Sequence, residues 1–583
     1  MMSDPESPRQ QWQLLALTLF TFFFLLGGRS LNEPDEGRYA EIAREMIELN
    51  DWLAPHLWYA PHLEKPPLTY WTVAVSMLVF GRNEWAVRLP VALAAISGVW
   101  ASYLLGRGLG GARAGLWSAL ILQSSLLYFV MGRMLTTDML LTQFIAWAVY
   151  FFWRSWRSLG GDGLDSRGKA KRFFAWQLAS WTAVALGFLT KGPIALVVPM
   201  VCVATLAIRH GREVANRKML LAGAGAGLFL CVALVAPWFW LIFERFPLAS
   251  QFMIFGQLVG HTLGTTVKNR QGHPLYYFVI LGVGFLPWTV LLGWLWRRAH
   301  WRQLNAAGKD AWALLSAWVL LPFVVFSLMG AKLPAYILPL FPALAVMVAL
   351  RYFGAGSDSA QPPGWAWRVC MTSPLVLMVV IPLAVPLIFR VAEPPLLNVQ
   401  AALAVVALGL SGWRGRAFSP GQCAFAAVVL GLLNLELIAA GAPLVETGLK
   451  SNQTLKPLGL ALQQAWRPGV TLVCWGRLPQ GLPFYAHPVV AATRQPYLGG
   501  MPLDGLPFEF PGNRERFANR LVPDETAMIQ LLSSDRPVLA VGFSGSFGRF
   551  QRLVESKPLA LLACVGRWEL FANYQPEKVG VME

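Results

Sequence analysis

Fourteen apolar runs follow one another between Gln11 and Ala440, and they constrain the fold more than any other feature of the chain. They cover about 11–28, 68–81, 86–106, 115–131, 138–153, 173–190, 193–208 and 219–243, then 276–296, 311–329, 335–352, 368–389, 399–412 and 421–440. A transmembrane helix needs about 20 predominantly apolar residues, fewer where flanking side chains snorkel. Only 14% of the 583 residues are charged and 56% are hydrophobic. An ordinary soluble domain carries about 25% charged residues, so one soluble globule is excluded. The chain reads as a polytopic α-helical membrane protein with length left for one soluble domain. The first run follows a polar head and lacks a small-residue cleavage site, so it reads as an uncleaved span.

The basic residues order these runs. The net charge is +17, but the cations lie in the breaks between apolar runs rather than on one nucleic-acid-binding face. That pattern marks cytoplasmic loops and anionic headgroups. Five breaks are basic: Arg107 with Arg113; Arg154, Arg157, Arg167, Lys169, Lys171 and Arg172; Arg209, Arg212, Arg217 and Lys218; Arg297, Arg298 and Arg302; Arg414 with Arg416. All five fall on one side only if the short run 68–81 is not a full crossing. This predicts about 13 transmembrane helices, a cytoplasmic N-terminus and an extracytoplasmic C-terminus. Asp35, Lys65, Asp138, Lys191, the loop 244–274 and Lys332 then share the extracytoplasmic face.

The domain reading is a membrane domain over 1–444, with an extracytoplasmic loop at 29–85, followed by an α/β domain over 445–583. In the tail, 470–475, 537–543 and 560–574 read as strands, and 454–466 and 524–533 as helices. Four of the six cysteines lie in apolar spans. Cys474 and Cys564 lie in the tail and read as two buried strand residues rather than a disulfide framework.

The loop at 32–67, NEPDEGRYAEIAREMIELNDWLAPHLWYAPHLEKPP, holds charge beside the membrane, where it is expensive and usually functional. Asp35 suits a base or a cation-binding acid; Arg38 and Lys65 suit a phosphate. Asp138, in RMLTTDML, either caps its helix or serves as a second acid. Lys332 and Tyr336, in KLPAY, sit at a proline-broken junction of the kind that lines cavities. No P-loop or dinucleotide-binding glycine motif stands out.

NEPDEGRYAEIAREM, DWLAPHLWYAPHLEKPPLTYW, RMLTTDMLL, LTKGPIAL, GHPLYYF and KLPAYILPLFPALA together resemble blocks of the lipid A 4-amino-4-deoxy-L-arabinose transferases. These are GT-C membrane glycosyltransferases related to the protein O-mannosyltransferases. The resemblance covers about 11–352 and implies the GT-C fold in the bacterial inner membrane, with the site and the C-terminal domain periplasmic. It implies an inverting, nucleotide-free transfer from an undecaprenyl phosphate-linked donor to lipid A phosphate, giving polymyxin resistance. Asp35 and Asp138 would be catalytic; Glu36, Arg38, Lys65, Arg133, Arg270, Lys332 and Tyr336 would bind substrate. Membrane lipids are the only other partners expected.

Glu64 with His261, near His62 and His273, suits a structural zinc that pins two loops. The segment 251–273, with Gly256, Gly260 and Gly264, is a candidate lid. Within the same chemistry the alternative is transfer to protein hydroxyls. A secondary transporter is the alternative of another class, but its charges would lie near mid-membrane in two related halves, and no repeat is visible.

Overall fold

The computed structural model describes residues 8–159, 166–210, 214–259, 272–297, 302, 304–354, 361–389, 419–448, 454–487, 489–490, 497–500, 510, 512–554 and 557–576. The chain divides into two compact units. The first takes Met1–Leu26, Arg88–Leu241 and Ile254–Gly441; the second takes Gly27–Val87, Ile242–Met253 and Ala442–Glu583.

The first unit is helical. It contains α1 (Pro8–Phe23), and the second unit contains α2 (Asp35–Glu48) and α3 (Leu68–Phe80). Next come α4 (Glu84–Gly110), α5 (Ala112–Gln123), α6 (Leu126–Met131), α7 (Thr137–Leu159), α8 (Ser166–Lys191), α9 (Ile194–His210) and α10 (Val214–Arg245). Among the described residues, six helices are long and apolar enough to cross a membrane, from Glu84–Gly110 to Pro420–Leu437. Leu68–Phe80 and Ile194–His210 are shorter apolar helices. The chain is a multi-pass membrane protein. Large side chains such as Leu78, Val79, Phe229, Trp240 and Leu328 stay exposed on these helices, as lipid-facing positions do.

Two runs expected as single spans are broken. The run 115–131 splits into α5 and α6, with Ser124 and Ser125 returning their hydroxyls to the carbonyls of Leu120 and Ile121. The run 276–296 becomes a helix at Tyr276–Gly284 and a 3-10 turn at Thr289–Trp294, with Pro287 between them. Proline supplies no N–H to a continuing helix, so the ladder stops there. The run 399–412 lies outside the described residues.

The second unit carries the sheet. Besides the two-residue hairpin β1 (His56–Leu57) and β2 (Ala60–Pro61), it contains β3 (Thr471–Trp475), β4 (Tyr497–Gly499), β5 (Leu521–Val522), β6 (Val538–Phe543), β7 (Ala560–Val565) and β8 (Trp568–Ala572). The last six form one sheet in the order β5-β4-β3-β6-β8-β7, parallel through β6 and antiparallel at β8 and β7. The apolar positions of β3 and β6 are buried among Met528, Leu532, Phe550 and Phe571. The expected strand 560–574 is a hairpin that turns at Gly566, whose φ of 62° is left-handed. Asp524 caps the helix Glu525–Ser533 by accepting from Ala527 N at 2.8 Å. β4 and β5 are too short to show in the sequence, and the helix Ser546–Leu553 was likewise not expected. None of the six cysteines is in a disulfide; Cys474 is buried as expected, whereas Cys564, on the edge strand β7, is exposed.

The loop expected to belong to the membrane domain, 29–85, instead packs with the tail in the second unit. Specific bonds join its parts. The Tyr485 hydroxyl accepts from Leu31 N at 2.8 Å, and Lys456 pairs with Glu84 at 2.7 Å. Asn513 donates to Pro61 O at 3.0 Å, and Arg245 pairs with Asp51 at 2.8 Å.

Candidate active site

In the second unit, Asp35 and Glu36 stand in the first turn of α2, where the exposed N–H ends of the helix favour carboxylates. Arg38 is buried, and its guanidinium meets Asp35 Oδ1 at 2.6 Å. Burial opposes the charge of Arg38, but Glu64 and Asp35 beside it more than offset this and hold it cationic. The Asp35 side chain keeps 40% of its surface exposed, so this pair presents one open carboxylate above a fixed cation. Lys65 is half-buried, its ammonium 3.4 Å from Glu64 O.

The β1–β2 hairpin that leads into Glu64 and Lys65 is braced from α2. Trp58 and Tyr59 adopt left-handed φ of 56° and 63°, which costs an L-residue about 1–2 kcal/mol each. Tyr59 N donates to Glu45 Oε2 at 2.8 Å and Trp58 is buried, which offsets that cost. Glu36 was expected to bind substrate. It is instead fully buried, accepting from Arg29 at 2.6 Å and from Asn32 N at 3.0 Å, and so it fixes the approach to α2.

Glu33, which the sequence did not single out, seals this corner. Its Oε1 accepts from Gly481 N at 2.9 Å, between the backbones of Gly37 and Gly481. Burial pushes its carboxyl up to about 8, against smaller opposing contributions from the Gly481 bond and Arg38. A folded pKa raised above the ordinary 4.5 stabilises fully below pH 4.5, and that stabilisation is lost as pH rises through about 8. Glu33→Gln keeps an acceptor oxygen and removes the titration. The wild type is therefore expected to lose stability relative to Glu33→Gln between pH 5 and 8.5 in thermal unfolding. Parallel pH curves for the two proteins would remove Glu33 from this role.

In the first unit, Asp138 lies in the first turn of α7 and is buried. Its Oδ1 pairs with Lys191 at the end of α8, whose ammonium also lies 4.6 Å over the Tyr336 ring. Lys191 is the residue the sequence reading missed as a site member. Its signal was LTKGP, a lysine closing an apolar helix just before Gly192, whose φ is 79°. Lys191→Met strands a buried carboxylate and is expected to cost about 1–3 kcal/mol in thermal unfolding, with Asp138→Asn recovering part of it. Full stability in the single variant would mean that another group holds Asp138.

Lys332 and Arg133 were expected to bind substrate, and both are committed to backbone. Lys332 donates to Met329 O and Ser327 O at 2.8 Å each, capping the carbonyl end of the helix Ala306–Leu328. Arg133 donates to Thr21 O at 2.8 Å and to Phe24 O, and lies 3.6 Å from Glu436. Arg270 and His261 lie outside the described residues, as do Gly260 and Gly264 of the candidate lid; 252–259 form a π-helical turn. Among the described residues no group of three or more His, Cys, Asp or Glu side chains converges as around a metal. His62 Nε2 stands 3.7 Å from Glu64 Oε2, and burial drives the imidazole down to about 4, leaving it neutral as a metal ligand must be.

The fold has a counterpart among solved structures. ArnT from Cupriavidus metallidurans, bound to undecaprenyl phosphate, superposes with a TM-score of 0.78 over 98% of this chain and 99% of that one, at 23% identity. The chain has the GT-C fold. The Archaeoglobus fulgidus oligosaccharyltransferase shares it at a TM-score of 0.50 and 15% identity, over 92% of this chain and 69% of that one. Residues 64–241 match the family model for dolichyl-phosphate-mannose-protein mannosyltransferase, a stretch that includes Glu64, Lys65, Asp138 and Lys191. In sequence the chain is similar to the undecaprenyl phosphate-alpha-4-amino-4-deoxy-L-arabinose arabinosyl transferase of Edwardsiella ictaluri, 32% identical over 58% of each chain. The Enterobacter sp. transferase of the same name is 29% identical over 69% of this chain and 71% of its own. The match to the Edwardsiella protein thus spans less than two thirds of that relative.

Proposed function

We propose that this protein moves 4-amino-4-deoxy-L-arabinose from undecaprenyl phosphate to phosphate groups of lipid A, at the periplasmic face of the bacterial inner membrane. The observation that carries the reading is the Asp35–Arg38 pair, an open carboxylate over a buried cation, with Lys65 in the adjoining turn. The names of the curated relatives and the undecaprenyl phosphate in the Cupriavidus structure support the choice of donor and sugar.

The chemistry follows from phosphate on both sides of the reaction. A phosphate monoester acceptor has its second pKa near 6, so it is already largely dianionic near neutral pH and needs no proton removed before it attacks. It attacks the anomeric carbon, and the polyprenyl phosphate leaves with inversion. No strong base is then required. Asp35 orients the acceptor and steadies the positive charge that develops on the sugar, and Asp138, held by Lys191, is the second acid. Arg38 and Lys65 stabilise the leaving phosphate, which is the larger share of catalysis in such a site. A structural divalent ion with Glu64 as one of its ligands belongs to the same proposal. Elemental analysis should find one zinc per chain, and less in Glu64→Gln.

The match to a protein mannosyltransferase family model favours, as a second reading, transfer to protein hydroxyls. Mass spectrometry of lipid A from a null strain, with and without this chain, separates the two. Aminoarabinose on lipid A together with polymyxin resistance is expected. Unmodified lipid A beside glycosylated envelope proteins would favour the second reading.

A further inference from the structure

A second charged site is built at the other end of α7. Arg154 lies sixteen residues, or roughly 24 Å of helix rise, from Asp138. There a cavity of about 400 Å³ is lined from α4, α7 and α8, with Arg107, Arg154, Arg157 and Arg172 among its ten lining residues and no acidic side chain among them. Solvated cations beside a membrane ordinarily fan outward, but these converge on a shaped hollow. Arg154 is half-buried, its guanidinium 4.7 Å over the Trp176 ring and donating to the buried Tyr150 hydroxyl at 3.0 Å. Arg157 lies 5.7 Å over Trp153, which is buried in the wall. Stacking holds each guanidinium by its face and directs its N–H edge, the geometry in which arginine takes a phosphate. The other three arginines are exposed at the rim. Four like charges around one hollow repel one another, and an anion there reverses the sign of that interaction.

We propose that this cavity binds a phosphate group, either the phosphodiester of an anionic glycerophospholipid or a free phosphate, at the end of α7 away from Asp138. Basic hollows between membrane helices are a known form for headgroup recognition. The test uses the full chain, purified in detergent and delipidated, and its thermal unfolding with phosphatidylglycerol, phosphatidylcholine or sodium pyrophosphate. Phosphatidylglycerol, and not phosphatidylcholine, is expected to raise the unfolding midpoint. The double variant Arg157→Gln/Arg172→Gln removes only exposed side chains and so should fold. It is expected to bind the lipid about tenfold more weakly. Arg368→Gln, an equally exposed arginine away from the cavity, serves as the charge control and should bind as the wild type does. A pyrophosphate response that the double variant loses would assign the site to free phosphate. Equal response to both lipids with none to pyrophosphate, or wild-type binding by the double variant, would overturn the proposal.

Discussion

Asp35→Asn is expected to lower sugar transfer by about 10²–10⁴-fold while leaving the chain folded. The side chain is 40% exposed and Asn has its shape, so little packing is lost. Arg38 loses its 2.6 Å partner but stays beside Glu64, so the buried cation is not stranded. What disappears is the negative charge proposed to face the reacting sugar. The pH dependence separates two roles for that charge. If Asp35 orients and stabilises, wild-type rate should follow deprotonation of the acceptor phosphate near pH 6, and the residual rate of the variant should keep that profile. If Asp35 is a base, the profile of the variant should change with the residue. Near-normal lipid A modification by Asp35→Asn would remove the residue from the mechanism.

Gly37→Ala should unfold or detach the start of α2, although alanine is ordinarily the better helix former by about 1 kcal/mol. A Cβ at Gly37 would stand 2.8 Å from Gly481 Cα and would strike the Glu33 carboxylate; one at Gly481 would stand 2.7 Å from Gly37 Cα. The flexible carboxylate yields at the loss of its bond to Gly481 N, but backbone against backbone does not yield. Overpacking of this kind typically costs 1–3 kcal/mol. The loss falls on the turn that carries Asp35, so transfer should fall further than stability. Comparing the unfolding midpoint with the transfer rate for Gly37→Ala and Gly481→Ala checks this. Wild-type activity in both would show that the tail is not what positions Asp35.

The sequence by itself determined the class of molecule. Apolar runs too long for a soluble core, with cations in the breaks between them, dictate membrane helices, because the bilayer leaves the backbone no other partner. The NEPDEGRY and LEKPP blocks also placed the charged loop and named Asp35, Arg38 and Lys65, and RMLTTDML named Asp138. Strands β3 and β6 were legible because continuous apolar runs bounded by turn residues mark buried parallel strands.

Only the tertiary structure decided which charges are open. Glu36 in the same loop as Asp35, Arg133 beside Asp138 and Lys332 in KLPAY all read in sequence as open charges. Yet one is shut in with Arg29, and the others are bound to the carbonyls of Thr21 and Met329. Lys191 became a partner of Asp138 only because α7 and α8 bring together residues 53 positions apart. The Glu33–Gly481 bond spans 448 positions, and it joins the loop at 29–85 to the tail in one compact unit. Periodicity and local propensity report on neighbours within a few residues. Ion pairs and glycine contacts across such separations depend on the packing of whole elements, and one chain read alone carries no trace of them.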